Sequence, residues 1–181
     1  NAFVEPMQRE LGFKAKPRTH RTHSIHETTY DFRIDAVNYA LANDDGSNLK
    51  DYAKADIILV GVSRSGKTPT SLYLALQYGI KAANYPFVEE DMDSLTLPAV
   101  LRPHKNKLFG LTITPDRLSQ IREQRRPNSR YASLRQCKLE LDEVENLYRK
   151  ERIPFLNSTT LSIEEISAKI MAETGLKRQK Y

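Results

Sequence analysis

Cysteine is nearly missing. Cys137 is the only one in 181 residues, which excludes an intrachain disulfide and accords with a reducing, cytoplasmic setting. No apolar run approaches the roughly 20 residues that a membrane-spanning helix requires. Hydrophobic residues make up 39% of the chain and the mean hydropathy is −0.58, values that describe a soluble protein. The start, Asn1-Ala-Phe-Val, has neither an initiator Met nor a charged-then-apolar leader. No signal peptide is therefore expected, and residues before Asn1 are expected in the native protein. There is no internal repeat or low-complexity linker, and the length suits one well-cored domain over residues 1–181.

Positive charge is in excess, with a net charge of +5 and a pI near 9.3. The excess sits in three stretches: Lys14 to Arg21, Arg122 to Lys138, and the tail from Lys177 to Lys180. None of them interleaves the aromatics of a base-stacking platform, so nucleic acid is not the expected partner. Phosphate on a nucleotide or a phosphoprotein accounts for these clusters more simply. Within the basic leading segment of residues 1–29, His20, His23 and His26 recur at spacings of three. That spacing raises a metal reading, but no cysteine or nearby carboxylate joins them. A basic loop contacting phosphate or a partner protein is the expectation.

The most informative stretch is Ala55-Asp-Ile-Ile-Leu-Val-Gly-Val-Ser-Arg-Ser-Gly-Lys-Thr68. Ile57 to Val60 is a short apolar, largely β-branched run, the pattern of a strand covered on both faces of a parallel sheet. Gly61, Val62, Ser63, Arg64, Ser65, Gly66, Lys67 and Thr68 complete G-x-x-x-x-G-K-T. Backbone N–H groups of such a loop cradle a phosphate chain at a helix N-terminus. Lys67 reaches the β- and γ-phosphates, and the Thr68 hydroxyl binds Mg²⁺. A helix from Thr70 to Tyr78 follows, with Gly79 as its C-cap.

Further strands are expected over Ile80–Val88, Lys107–Ile113 and Ile153–Asn157. An amphipathic helix over Asp31–Leu41 would bury Ile34, Val37 and Leu41. Thr114 and Pro115 start another helix, which breaks at Pro127-Asn128. The clearest helix carries Leu134, Cys137, Leu141, Val144 and Tyr148 as an apolar stripe, so Cys137 is assigned packing and no chemistry. Ser162 and Glu165 form a capping box on the last helix, where Ile163, Ile166 and Ile170 face the sheet and Gly175 ends the run. Strands alternating with helices after a phosphate loop give an α/β fold, a mainly parallel sheet flanked by helices.

Phosphoryl transfer also needs a metal-binding carboxylate, a base to orient the acceptor, and cations. The usual apolar run ending in Asp is missing: the third strand ends in Thr112 and Thr114, with Asp116 displaced into the helix cap. Asp44 and Asp45, in a turn shortly before the phosphate strand, are the candidate acids. Arg64 lies inside the loop. Arg122, Arg125, Arg126, Arg130 and Arg135 flank a break that is read either as a cationic lid or as solvated helix ends.

Several segments together resemble a known family. They are Gly61 to Ala75, Gly79 to Phe87, Lys107 to Thr112, Asn128 to Cys137, His20-Arg-Thr-His23, Ala42 to Gly46 and Ile153 to Thr159. All are similar to the bacterial phosphoenolpyruvate synthase regulatory proteins, a family of bifunctional kinase/pyrophosphorylases. The resemblance spans essentially the whole chain and covers the family's C-terminal part, members having an additional N-terminal domain. It implies a cytoplasmic serine/threonine protein kinase that uses ADP to phosphorylate a threonine of phosphoenolpyruvate synthase. It also implies the reverse control, phosphate-dependent removal of that group with release of pyrophosphate. A sister branch acts on pyruvate, phosphate dikinase, and the intact Gly66-Lys67-Thr68 favours the synthase branch.

In this reading Gly61 to Thr68 hold the nucleotide, Lys67, Asp45, Asp44, Arg64 and Arg130 are the catalytic candidates, and Thr68 is the metal ligand. A homo-oligomer is compatible with it. The alternatives are a P-loop small-molecule kinase and a nucleotide-gated nucleic-acid-binding module. The first would phosphorylate a metabolite, and the second would bind nucleic acid with steep salt dependence.

Overall fold

The computed structural model describes residues 23–46, 49–93 and 96–178, with side chains described over 31–46, 51–91 and 96–178. His20 and the basic stretch Lys14 to Arg21 lie outside the described residues, as do the side chains of His23 and His26. In chain order the elements are α1 (His23–Ala42), β1 (Ile57–Gly61), α2 (Lys67–Tyr73), β2 (Ala82–Pro86), α3 (Glu89–Asp93), β3 (Leu108–Thr112), α4 (Pro115–Arg125), α5 (Leu134–Glu151), β4 (Phe155–Asn157) and α6 (Ile163–Thr174). Short 3₁₀ turns at Asp44–Gly46, Leu49–Lys54, Arg102–Lys107 and Arg130–Ala132 join them. Among the described residues no helix is long and apolar enough to cross a membrane.

The four strands form one parallel sheet in the order β2-β1-β3-β4. From β1 the chain moves first to one side and then returns past it to β3. The strand ends between β1 and β3 are therefore a topological switch point, where open α/β sheets place their ligands. Both faces of β1 are covered. Ile57 and Leu59 pack with Leu74, Ile166 and Ile170, while Ile58 and Val60 pack with Leu141, Val144 and Tyr148. This two-sided burial is why the strand reads as an unbroken apolar run.

Tyr148 pins the two central strands together. Its ring packs against Phe155, and its hydroxyl donates to the carbonyl oxygens of Val60 (2.9 Å) and Leu111 (3.3 Å). Gly110 makes that packing fit, because a Cβ there would lie 2.6 Å from the Tyr148 ring.

Three local expectations change. The helix expected from Asp31 begins at His23, inside the stretch read as a leading segment. Among its described side chains the buried ones are Ala36 and Ala40, which pack with Ala75, while Ile34 and Leu41 are exposed and Val37 alone of the expected stripe contributes. A seam of alanines lets two helices approach closely, so shape decides the face. On α5, Leu134 is exposed at the first turn, and Leu147 joins Cys137, Leu141, Val144 and Tyr148 in the core. Thr114 holds the N-cap position of α4 without a side-chain capping bond, and its backbone N–H instead donates to Thr159 Oγ1 (2.8 Å). The Ser162–Glu165 capping box forms as expected, with Gly175 in the left-handed region after α6. The helix after the phosphate loop widens at Leu74–Tyr78 into a π-helical segment, closed by Gly79 at φ 69°.

Candidate active site

The loop between β1 and α2 encloses a polar cavity of about 250 Å³ with Asp45, Arg64, Lys67, Thr68 and Arg125 on its walls. Ser63 and Gly66 also face it, whereas Gly61, Val62 and Ser65 are buried behind the loop. Gly66 has φ 96°, a backbone angle that side-chain-bearing residues rarely adopt, and it stands at the N-cap of α2. Two non-glycine residues on the cavity wall also have left-handed backbones, Asp45 at φ 49° and Arg64 at φ 76°. Such conformations cost on the order of 1–3 kcal/mol and gather where binding or chemistry needs them.

Lys67 lies at the cavity's base. It is buried, and its ammonium donates to the Val62 carbonyl (2.9 Å). Burial pushes its pKa down from 10.5 to about 8; the charges of Asp45 and Asp44 oppose that fall and the charge of Arg122 adds to it. A buried cation with one carbonyl partner is poised for an anion, since a phosphate group would complete both its charge and its hydrogen bonds.

The two aspartates of the turn before β1 are brought to the loop from the far side of β2. The Thr68 hydroxyl donates to Asp44 Oδ1 (2.8 Å). Asn84, fully buried on β2, donates through Nδ2 to the same Asp44 oxygen and accepts the Asp45 backbone N–H at its own Oδ1 (2.8 Å). The Asn84 backbone N–H reaches the Asn43 carbonyl (3.2 Å) and its carbonyl accepts from the Tyr52 hydroxyl (3.2 Å). One asparagine thus fixes the whole Asp44-Asp45 turn. Sequence reasoning passed over it, and the available signal was a polar residue in an otherwise apolar strand.

The arginines separate into three roles. Arg125 lines the cavity. Arg122 points inward and is 1% exposed; it donates to the Ser63 carbonyl (3.2 Å), the Tyr131 carbonyl (3.1 Å) and Glu140 Oε2 (2.7 Å), and it stacks 4.1 Å over the Tyr131 ring. The Tyr131 hydroxyl in turn meets the Ser63 hydroxyl at 3.0 Å. Arg130, expected near the phosphate, is outside the cavity: it is exposed and pairs with Glu89 at 2.8 Å. The lid reading thus narrows to Arg125, while Arg122 props the loop from behind. Burial raises the Cys137 thiol pKa, with Arg122 beside it opposing, which fits the packing role assigned to it.

Among the described residues, β3 itself contributes no carboxylate at its end. The buried Thr112 hydroxyl donates to Glu145 Oε1 (2.8 Å), and the other Glu145 oxygen accepts from Arg149 (2.8 Å). Asp116 is exposed in the first turn of α4. Behind the loop, the Ser158 hydroxyl after β4 lies 3.1 Å from the Ser65 carbonyl and 3.0 Å from that of Thr112.

The profile of the kinase/pyrophosphorylase family matches residues 1–171. The chain belongs to that family. Relatives carry the provisional name phosphoenolpyruvate synthase regulatory protein. One from Alteromonas mediterranea is 77% identical over 180 residues, covering 99% of this chain and 67% of the relative. One from Pseudoalteromonas atlantica is 74% identical over 180 residues, with 99% and 67% covered. One from Aeromonas salmonicida is 63% identical over 182 residues, with 100% and 67% covered. The chain thus spans about two thirds of the length of these kinase/pyrophosphorylase relatives.

Proposed function

We propose that this kinase/pyrophosphorylase chain regulates phosphoenolpyruvate synthase by adding a phosphoryl group to one of its threonines, with ADP as donor, and by removing it with inorganic phosphate. In the forward direction the bond from the β-phosphorus of ADP to the bridging oxygen breaks, the β-phosphoryl group passes to the threonine oxygen as that hydroxyl gives up its proton, and AMP leaves with the bridging oxygen. In the reverse direction a phosphate oxygen attacks the phosphothreonine phosphorus, so that pyrophosphate forms and the threonine oxygen regains a proton. Both directions need a site that grips two linked phosphates. The observation carrying the proposal is the single polar cavity that combines the Lys67 ammonium, the α2 N-terminus and the Asp45 carboxylate.

Each residue has a distinct task in this scheme. Lys67 and the loop N–H groups bind the diphosphate and neutralise charge that builds on the transferred group. Arg64 and Arg125 face the same cavity and add cationic contacts at its mouth. Asp45 orients the acceptor, a threonine hydroxyl in one direction and phosphate in the other, and takes up the released proton. Mg²⁺ would bind at the Thr68 hydroxyl and would supply charge neutralisation on the phosphate oxygens. The donor set fits such an ion, because Mg²⁺ sites use one or two carboxylates and complete themselves with water and substrate phosphate.

The test is to incubate the protein with phosphoenolpyruvate synthase and ADP and to map the phosphorylated residue by mass spectrometry. Phosphothreonine that forms with ADP, and that disappears with phosphate while pyrophosphate accumulates, is the expected result. Absence of phosphothreonine, or transfer to small metabolites only, would overturn the proposal.

A further inference from the structure

The phosphate loop supplies a metal-binding hydroxyl, but the carboxylate that ordinarily accompanies it at the end of a neighbouring strand is missing. At the end of β3 stands Thr112, and Glu145 beside it is held between Thr112 and Arg149. Asp116 is exposed on α4 and Thr114 has no charge. The one carboxylate hydrogen-bonded to Thr68 among the described residues is Asp44, from the turn preceding β1. Its position depends on Asn84, whose amide group holds Asp44 and the Asp45 backbone together.

We propose that Asp44 supplies the carboxylate of a divalent-cation site on Thr68, and that Asn84 is the positioning residue that presents it. The geometry is specific. The Thr68 hydroxyl spends its proton on Asp44 Oδ1, so the lone pairs of Thr68 Oγ1 are turned away from the carboxylate and left for a cation. Two donors, Thr68 Oγ1 and Asn84 Nδ2, converge on that same Asp44 oxygen, which fixes the carboxylate plane. Lys67 and Thr68 line the same cavity, with Arg64, Arg125 and the acid Asp45 also on its walls. In this arrangement Asp44 serves the metal and Asp45 serves the acceptor. The two neighbouring acids diverge because Asp45 has a left-handed backbone and turns toward the cavity.

This assignment rests on the polyphosphate reading of the cavity, and the experiment separates the two. Equilibrium dialysis with pyrophosphate as the probe measures retention of pyrophosphate without metal and retention of Mn²⁺ in its presence. The parent protein is expected to hold both. Asp44→Asn is expected to keep metal-free pyrophosphate at parental affinity or tighter, since it removes a negative charge, and to lose Mn²⁺ affinity by about tenfold or more. Asn84→Ala is expected to lose about tenfold through misplacement of Asp44. Asp116→Asn is expected to leave both unchanged. Retention of pyrophosphate with undiminished Mn²⁺ binding in Asp44→Asn would overturn the metal assignment alone. Failure of the parent to retain pyrophosphate would overturn the polyphosphate reading and this assignment with it. Should Asp44→Asn lose its circular-dichroism signature, folded Asn84→Ala decides: parental Mn²⁺ binding overturns the proposal, and a loss supports it.

Discussion

Arg122 donates to the Ser63 carbonyl oxygen at 3.2 Å, joining the last turn of α4 to the loop after β1, 59 residues earlier. A fully buried guanidinium is costly, and here it is balanced by Glu140, by two backbone carbonyls and by the Tyr131 ring. The loop is thereby braced by α4.

Arg122→Leu is expected to destabilise the protein by about 3–5 kcal/mol, because it leaves Glu140 without its partner. The double variant Arg122→Leu/Glu140→Leu is expected to recover much of that stability in urea unfolding, yet to bind pyrophosphate more weakly than the parent because Ser63 is no longer held. Parental pyrophosphate affinity in the double variant would show that the brace has no bearing on the loop.

Lys67 sets the pH dependence of binding. Its pKa in the folded protein is about 8, lowered from 10.5 mainly by burial, and a bound anion favours the charged form. Pyrophosphate affinity is therefore expected to fall as pH rises through about 8, with proton uptake on binding between about pH 8 and 10. Calorimetry in two buffers of different ionisation enthalpy measures that uptake, and an affinity flat from pH 7 to 9.5 would contradict it.

The same shift has an opposite consequence for folding. Between about pH 8 and 10.5 the unfolded chain holds a proton at Lys67 that the folded chain does not, so this residue's contribution to stability rises with pH in that window. The cost of its buried charge is fully present below about pH 8. Lys67→Met is expected to raise the unfolding midpoint at pH 7 while abolishing pyrophosphate binding and both directions of transfer. Loss of one direction alone would mean two separate phosphate sites.

Asp45→Asn isolates the acceptor's base. Asparagine tolerates the left-handed backbone at φ 49° and preserves the backbone N–H that reaches Asn84. Stability is expected to stay within about 0.5 kcal/mol of the parent. Both directions of phosphoryl transfer should slow by about 10²–10⁴-fold, with pyrophosphate still bound. Single-turnover rates near the parental value would remove Asp45 from the mechanism.

Gly110→Ala is expected to cost about 1–3 kcal/mol, because the added methyl would meet the Tyr148 ring at 2.6 and 2.7 Å and Phe155 Cβ at 2.8 Å. In thermal melts, Gly110→Ala should cost less in a Tyr148→Leu background than in the parent. Equal costs in both backgrounds would place the strain elsewhere.

The strands and the turn from β1 into α2 were legible because their signals are local. Ile57 to Val60 is buried by helices on both faces, and an uninterrupted apolar run records that directly. The Ser162–Glu165 box is likewise a local, four-residue pattern. What escaped depends on contacts far apart in the chain. Asn84 matters through residues 39 and 40 positions earlier, and Arg122 through Ser63, so neither residue's own neighbourhood reveals its partner. The face of α1 was not legible because Ala36 and Ala40 carry little hydrophobic signal, yet they are buried and pack with Ala75. Arg130 was expected near the phosphate from its place beside the Pro127-Asn128 break and in a family-like segment, and its pairing with Glu89 is set by a turn that composition does not specify.

The Ser158 hydroxyl, which meets the carbonyl oxygens of both Ser65 and Thr112, ties the loop to a residue made 93 positions later. A chain emerging from the ribosome has its whole G-x-x-x-x-G-K-T stretch long before Ser158 appears, and before Arg122 has emerged to brace Ser63. The contacts that brace the loop from α4 and from the end of β4 therefore form only after most of the chain has been made, although the motif itself is complete at Thr68.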